Sequence, residues 1–142
     1  MFFLKQFIYA LLSTVGFAVF FNIPKDAVFI SSLSGAIGWT VYLVSKSTFS
    51  SPIAGTFLAA VSVGLLGEFM AKRFRKPATI FIIPGIVPLV PGAGMYYTML
   101  AIIEKDFTNA ANLGSEAIFI ALSIAIGVII PSSVMRAIVK QK

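Results

Sequence analysis

The chain has 142 residues, 58% hydrophobic and 11% charged, with a mean hydropathy of +0.98; a soluble domain carries about a quarter charged residues, so this is the composition of an integral membrane protein. It has no cysteine and no histidine, which excludes a disulfide framework, a thiolate nucleophile, the commonest metal ligand and the usual proton shuttle at neutral pH. The net charge of +6 reads as basic membrane edges, with no nucleic-acid partner implied.

Five apolar segments approach the twenty residues that a helical span needs: residues 3–21, 27–44, 52–71, 79–103 and 116–139. They predict an all-α, polytopic membrane helix bundle, with residues 1–142 as a single integral membrane domain. The first segment is too long and aromatic for a secretory leader and no small-x-small cleavage site follows it, so it reads as a span. A turn with Pro24 leads into the second segment, where proline suits the first helical turn. Ser31, Ser34, Gly35 and Gly38 give that segment a small-residue packing face, and Trp39 and Tyr42 read as interface anchors. Residues 45–51 form a polar break ending at Pro52. In the third segment Ala60, Gly64 and Glu68 recur every four residues. Small residues mark contact faces, so Glu68 points into the bundle and is the candidate proton-coupling carboxyl. The competing role is a surface pair with Lys72 one turn on. A basic loop, Lys72 to Lys76, follows. After the fourth segment, residues 104–115 read as the longest connection. Glu116 then opens the fifth segment, where a carboxylate suits the helix dipole, ahead of a close-packing stripe at Ala117, Ala121 and Ala125.

The fourth segment holds the most informative stretch, FIIPGIVPLVPGAGMYY over residues 81–97. Pro84, Pro88 and Pro91 each remove an N–H and free a carbonyl about one turn upstream. Gly85, Gly92 and Gly94 allow unwinding or close approach. Irregular backbone at membrane depth survives only where protein buries it or a wet cavity receives it, which makes a broken span a pointer to a polar path. A second half-helix starting near Pro91 would aim its first N–H groups, from Gly92 to Met95, at a small anion near the midplane. Tyr96 and Tyr97 follow, and a phenol there can donate to a carboxylate. Pro84, Gly85, Pro88, Pro91, Gly92, Gly94, Tyr96 and Tyr97 are therefore the candidate substrate-binding residues.

With the Lys72 to Lys76 loop inside and five spans, eight basic residues lie inside (Lys25, Lys72, Arg73, Arg75, Lys76, Arg136, Lys140, Lys142) and three outside (Lys5, Lys46, Lys105). That bias fits the positive-inside rule and places the N-terminus outside and the C-terminus in the cytoplasm. A re-entrant fourth segment would weaken the bias, so five spans with one broken is preferred. No base partner for the serines exists, and Glu68 and Glu116 complete no metal ligand set. No enzyme, metal or cofactor is expected.

PATIFIIPGIVPLVPGAGMYYTMLAII, residues 77–103, resembles the hallmark of the threonine/serine exporter family. GFAVFFNIPKDA (residues 16–27) and SLSGAIGW (residues 32–39) are similar to the same family's opening. The likeness spans nearly the whole chain and is nearest to the short stand-alone membrane half, the small subunit of the two-component type that includes the succinate-exporter subunit. The resemblance implies a larger companion membrane subunit, and a small carboxylate as cargo, either threonine or serine or a dicarboxylate such as succinate. It also implies export across the cell inner membrane driven by the proton motive force. Two other readings stay open on the sequence: an accessory membrane protein that stabilises a partner, and a small homo-oligomeric channel.

Overall fold

The computed structural model describes residues 1–140, with side chains through Ile138; Lys142 and the Lys140 side chain, part of the basic C-terminal cluster, lie outside the described residues. Its elements are α1 (Phe2–Phe20), α2 (Lys25–Phe49), α3 (Pro52–Phe74), α4 (Thr79–Ile86), a 3-10 turn (Val87–Leu89), α5 (Gly92–Ile103) and α6 (Phe107–Lys140). The protein is all-α. Helices α1, α2, α3 and α6 are each long and apolar enough to cross a membrane, and α4 with α5 passes the same test as a pair bent by 50°.

The direction of α6 decides what α4 and α5 do. Gly127 of α6 faces α3 so closely that an added Cβ would stand 2.7 Å from Ala60 Cβ and 2.9 Å from the Phe57 carbonyl oxygen. Four residues further along α6, Pro131 packs on Gly64, four residues further along α3. The two helices therefore run side by side in the same direction. A re-entrant segment between them would return the chain to its starting face and leave α6 antiparallel to α3. The α4–α5 segment thus crosses the bundle, and the chain makes five passes.

Small residues set the packing. Val63 of α3 fills a slot between α2 and α4: its methyl carbons lie 2.4 Å from where a Cβ on Gly38 would stand and 2.8 Å from one on Gly85. Gly35 of α2 lies over Gly85, with 3.3 Å from its would-be Cβ to the Gly85 Cα. Close backbone approach through small residues is the usual source of helix association where lipid removes the hydrophobic drive. Gly85 therefore serves close approach. No glycine has positive φ, so unwinding is not what the glycines of this segment supply. At one end of the bundle Lys76 forms an ion pair with Asp26, which joins the α3–α4 loop to the start of α2.

Two expected loops are largely helical. Residues 45–49 extend α2, because the Ser47 and Thr48 hydroxyls donate to the Val44 carbonyl at 2.7 and 2.9 Å instead of competing for the chain's course. The turn shrinks to Ser50, with φ of 51°, and Ser51, whose hydroxyl accepts the Ala54 N–H at 3.3 Å. The connection placed at residues 104–115 is only residues 104–106. The Asp106 carboxylate accepts the Asn109 N–H at 3.1 Å and caps α6 ahead of its expected start. Gly114, expected in the loop, lets Thr98 of α5 approach, with 3.1 Å between Thr98 Cγ2 and a would-be Cβ.

Two outcomes follow from this packing. Gly127→Ala, pressed on α3 backbone, should destabilise the protein by about 1–3 kcal/mol, read as a lowered thermal midpoint in detergent. Gly16→Ala, with nothing within 4 Å, should leave the midpoint in place. Because the chain has no native cysteine, Arg73→Cys and Glu104→Cys can be labelled singly. They should react from opposite membrane faces, whereas labelling from one face would make α4–α5 re-entrant.

Candidate functional site

The break in the fourth crossing sits at Pro88 to Pro91. Pro84 is accommodated inside α4, buried against the neighbouring helices. The carbonyls that Pro88 and Pro91 free find donors nearby: Pro84 O accepts the Val87 N–H and Val87 O accepts the Val90 N–H at 3.2 Å, while the next carbonyl, Val90 O, accepts the Gly92 N–H at 2.8 Å. Helix α5 then begins at Gly92, where the sequence places it, with the Met95 N–H on the Pro91 carbonyl at 3.0 Å. The first-turn N–H groups of Ala93 and Gly94 have no helical carbonyl to bond.

Packing turns this break into a cavity. Helix α4 is held by α2 and α3, while α5 packs chiefly on α6. The 50° bend turns α5 off the line of α4. Beside the break is a cavity of about 250 Å³. Its walls are Trp39 and Tyr42 from α2, Thr56 from α3, the backbone from Pro88 to Gly94, and Glu116 with its neighbours on α6. Thr56 is four residues from the start of α3 and Glu116 nine from the start of α6, about 6 and 14 Å of helical rise. The cavity is therefore nearer the Ser50 turn and the Lys105 loop than the Lys76 end of the bundle.

The candidate residues divide into three groups. Pro88, Pro91, Gly92 and Gly94 line the cavity together. Pro84 and Gly85 are buried in the α2–α3–α4 crossing, where they seat α4. Because the helix is broken, the three prolines do not share the single face that a continuous helix would give them. Tyr96 and Tyr97 are 63% and 53% exposed, turned outward with their rings edge to face, and the cavity is lined without them. Glu68 is partly buried on the Ala60–Gly64 stripe as expected, but twelve residues beyond Thr56, about 18 Å along α3. Among the described residues it forms no ion pair with Lys72, whose ammonium points to Met135 Sδ at 3.6 Å.

Three residues have a different place from the one expected. Trp39 and Tyr42 are not simple interface anchors. Their rings stack at 5.0 Å, the Trp39 indole N–H donates to Gln6 Oε1 at 3.1 Å, and both line the cavity. Glu116 does not open a helix. It lies in the third turn of α6 and lines the cavity opposite the start of α5. The signal for it was Asp106, a helix-start residue whose cap would have put Glu116 inside the helix.

This geometry defines a polytopic helical membrane protein with a discontinuous crossing beside a cavity. The family model described as Threonine/Serine exporter, ThrE, matches residues 6–134, and the chain belongs to the threonine/serine exporter family. A protein of Corynebacterium glutamicum described as a threonine/serine exporter is 30% identical over 128 residues, which cover 87% of this chain and 25% of that protein. An uncharacterized protein of Haemophilus influenzae is 26% identical over 130 residues, covering 89% of this chain and 44% of that protein. The chain thus spans a quarter to under half the length of these curated relatives. No solved structure matches it.

Gln6→Leu removes the indole's partner and should lower stability by about 1 kcal/mol. Trp39 is the single tryptophan, so the same substitution should alter the emission spectrum; an unchanged spectrum would mean that the Gln6 contact does not hold the ring.

Proposed function

We propose that this chain is one membrane half of a secondary exporter of small amino acids of the threonine/serine kind, working in the cell inner membrane with a larger companion membrane subunit. The observation that carries the reading is the cavity at the broken crossing in a chain that the exporter family model covers from residue 6 to residue 134. The substrate carboxylate is held at the Ala93 and Gly94 N–H groups, where the helix dipole and unbonded donors favour an anion. Pro88 and Pro91 keep that helix end open; the Thr56 hydroxyl in the same wall donates to the Pro52 carbonyl at 2.8 Å, which leaves its oxygen only as an acceptor. A dicarboxylate cargo is the weaker reading, because no lysine or arginine lines this cavity.

The companion is proposed from the resemblance to the short stand-alone half of the family; the curated relatives are more than twice as long as the matched region. Drive by the proton motive force, with the basic loop and the C-terminus in the cytoplasm, completes the proposal. Glu68 is its proton-coupling carboxyl, set toward the Lys76 end of the bundle and apart from the cavity.

The test is efflux from cells lacking their own exporters, with this chain expressed alone and beside the companion encoded near it. Uncoupler-sensitive threonine or serine efflux is expected only from the pair. Pro88→Ala with Pro91→Ala should reduce it about tenfold or more at unchanged membrane level; persistence would remove the site assignment. Glu68→Gln should abolish uncoupler sensitivity and spare exchange of labelled for unlabelled substrate. Loss of exchange as well would make Glu68 structural.

A further inference from the structure

Glu116 is the one charged side chain in the cavity wall, and neither the helix break nor the packing of α6 requires a charge there. Its position is fixed by two contacts. Gly94, in the first turn of α5, lies against Ala117, with 3.5 Å from its would-be Cβ to the alanine methyl carbon. Gly114 lies against Thr98 one helical turn further along α5. Glu116 is thus held beside the start of α5 by its immediate neighbour in sequence. Across the same cavity stand the stacked rings of Trp39 and Tyr42. A carboxylate in the wall of a small cavity attracts a cation, whereas the Tyr42 ring is already engaged by Trp39 and by the Lys46 ammonium. Lys46 lies 5.7 Å from the Tyr42 ring centroid, but the cavity is lined without it. Among the described residues no lysine or arginine lines the wall to neutralise Glu116.

We infer that Glu116 is the specificity-determining residue of this cavity, binding the ammonium group of an α-amino acid and rejecting cargo that carries only carboxylates. The inference rests on the amino-acid reading of the exporter given above. An ammonium bound here gains a charge-assisted pair with Glu116, a side chain that is exposed in this chain. A dicarboxylate meets a like charge and no lysine or arginine. The wall thus discriminates by one attractive and one repulsive element, which a difference of affinities requires.

The experiment uses the complete pair in exporter-deficient cells and compares threonine with 3-hydroxybutyrate, which is threonine without its amino group. Wild type is expected to favour threonine at least tenfold. Glu116→Gln should bring the ratio of the two efflux rates toward one, and Glu116→Asp should keep most of it. The ratio is internal to each variant, so a lower membrane level moves both rates and leaves it unchanged. A Glu116→Gln variant that exports less of both compounds at the wild-type ratio would overturn the inference, since a carboxylate that only supports the α5 helix end gives that result. Wild-type efflux of threonine with an unchanged ratio in Glu116→Gln would overturn the inference and leave the exporter reading standing. No threonine or serine efflux from a well-expressed wild-type pair would overturn both.

Discussion

The fold turns on the slot that Val63 fills between Gly38 and Gly85. Three helices meet there with almost no side-chain thickness between them. A Cβ on either glycine would fall inside contact distance of a valine methyl carbon, and a β-branched side chain has little rotamer freedom with which to yield. This fixes α4 deep in the bundle between α2 and α3. It also fixes where the fourth crossing can depart from a straight course. Up to Leu89, which is buried among Ala59, Ala60 and Val63, the segment is committed to the core. Beyond Leu89 nothing comparable holds it, and the chain turns.

The prolines determine how that turn is made without leaving carbonyls stranded. Two successive bonds, Val87 N–H to Pro84 O and Val90 N–H to Val87 O, absorb the acceptors that Pro88 and Pro91 would otherwise leave open. What remains unbonded is on the donor side, at the start of α5. A kink made for packing alone would need no opening at its inner angle. Here a cavity of about 250 Å³ borders the break, with a threonine, two aromatic rings and a carboxylate in its wall. The bend therefore converts a backbone defect into a wall that can face a polar solute, as discontinuous helices do in transporters.

Much of this was legible in the sequence. Five apolar segments gave five passes, and the proline and glycine spacing put the second half-helix at its observed start. Helix ends were less legible for a specific reason. Ser47, Thr48 and Ser115 look like loop residues, yet each hydroxyl donates to a carbonyl three or four residues back in its own helix, so polarity there marks a membrane edge without ending the helix. That error of register hid Glu116: with the helix starting at residue 116 the carboxylate had a sufficient role at a helix end. Starting at Phe107, the same residue sits in the third turn and acquires a different surrounding. Trp39 and Tyr42 were hidden by a tertiary fact. Nothing local to α2 shows that α5 turns off the line of α4 or that their rings face a cavity.

The outward faces of α5 and α6 extend the argument to the assembly. Met95, Tyr96, Tyr97, Met99 and Ile103 are all exposed, on a helix that packs chiefly on one neighbour. On the α6 side Ile118, Phe119 and Leu122 are equally bare. In a bilayer such faces need no protein cover, because lipid chains are as apolar as the side chains. The α4 half of the crossing has no such latitude, since it is enclosed on two sides by glycine contacts that tolerate no added carbon. The two halves of the broken crossing thus have different neighbours: α4 is enclosed by α2 and α3, while α5 rests on α6, which is itself packed on α3 through Gly127 and Gly64. The division falls at Val90 and Pro91, so the residues that break the helix also separate the half enclosed by α2 and α3 from the half that packs on α6.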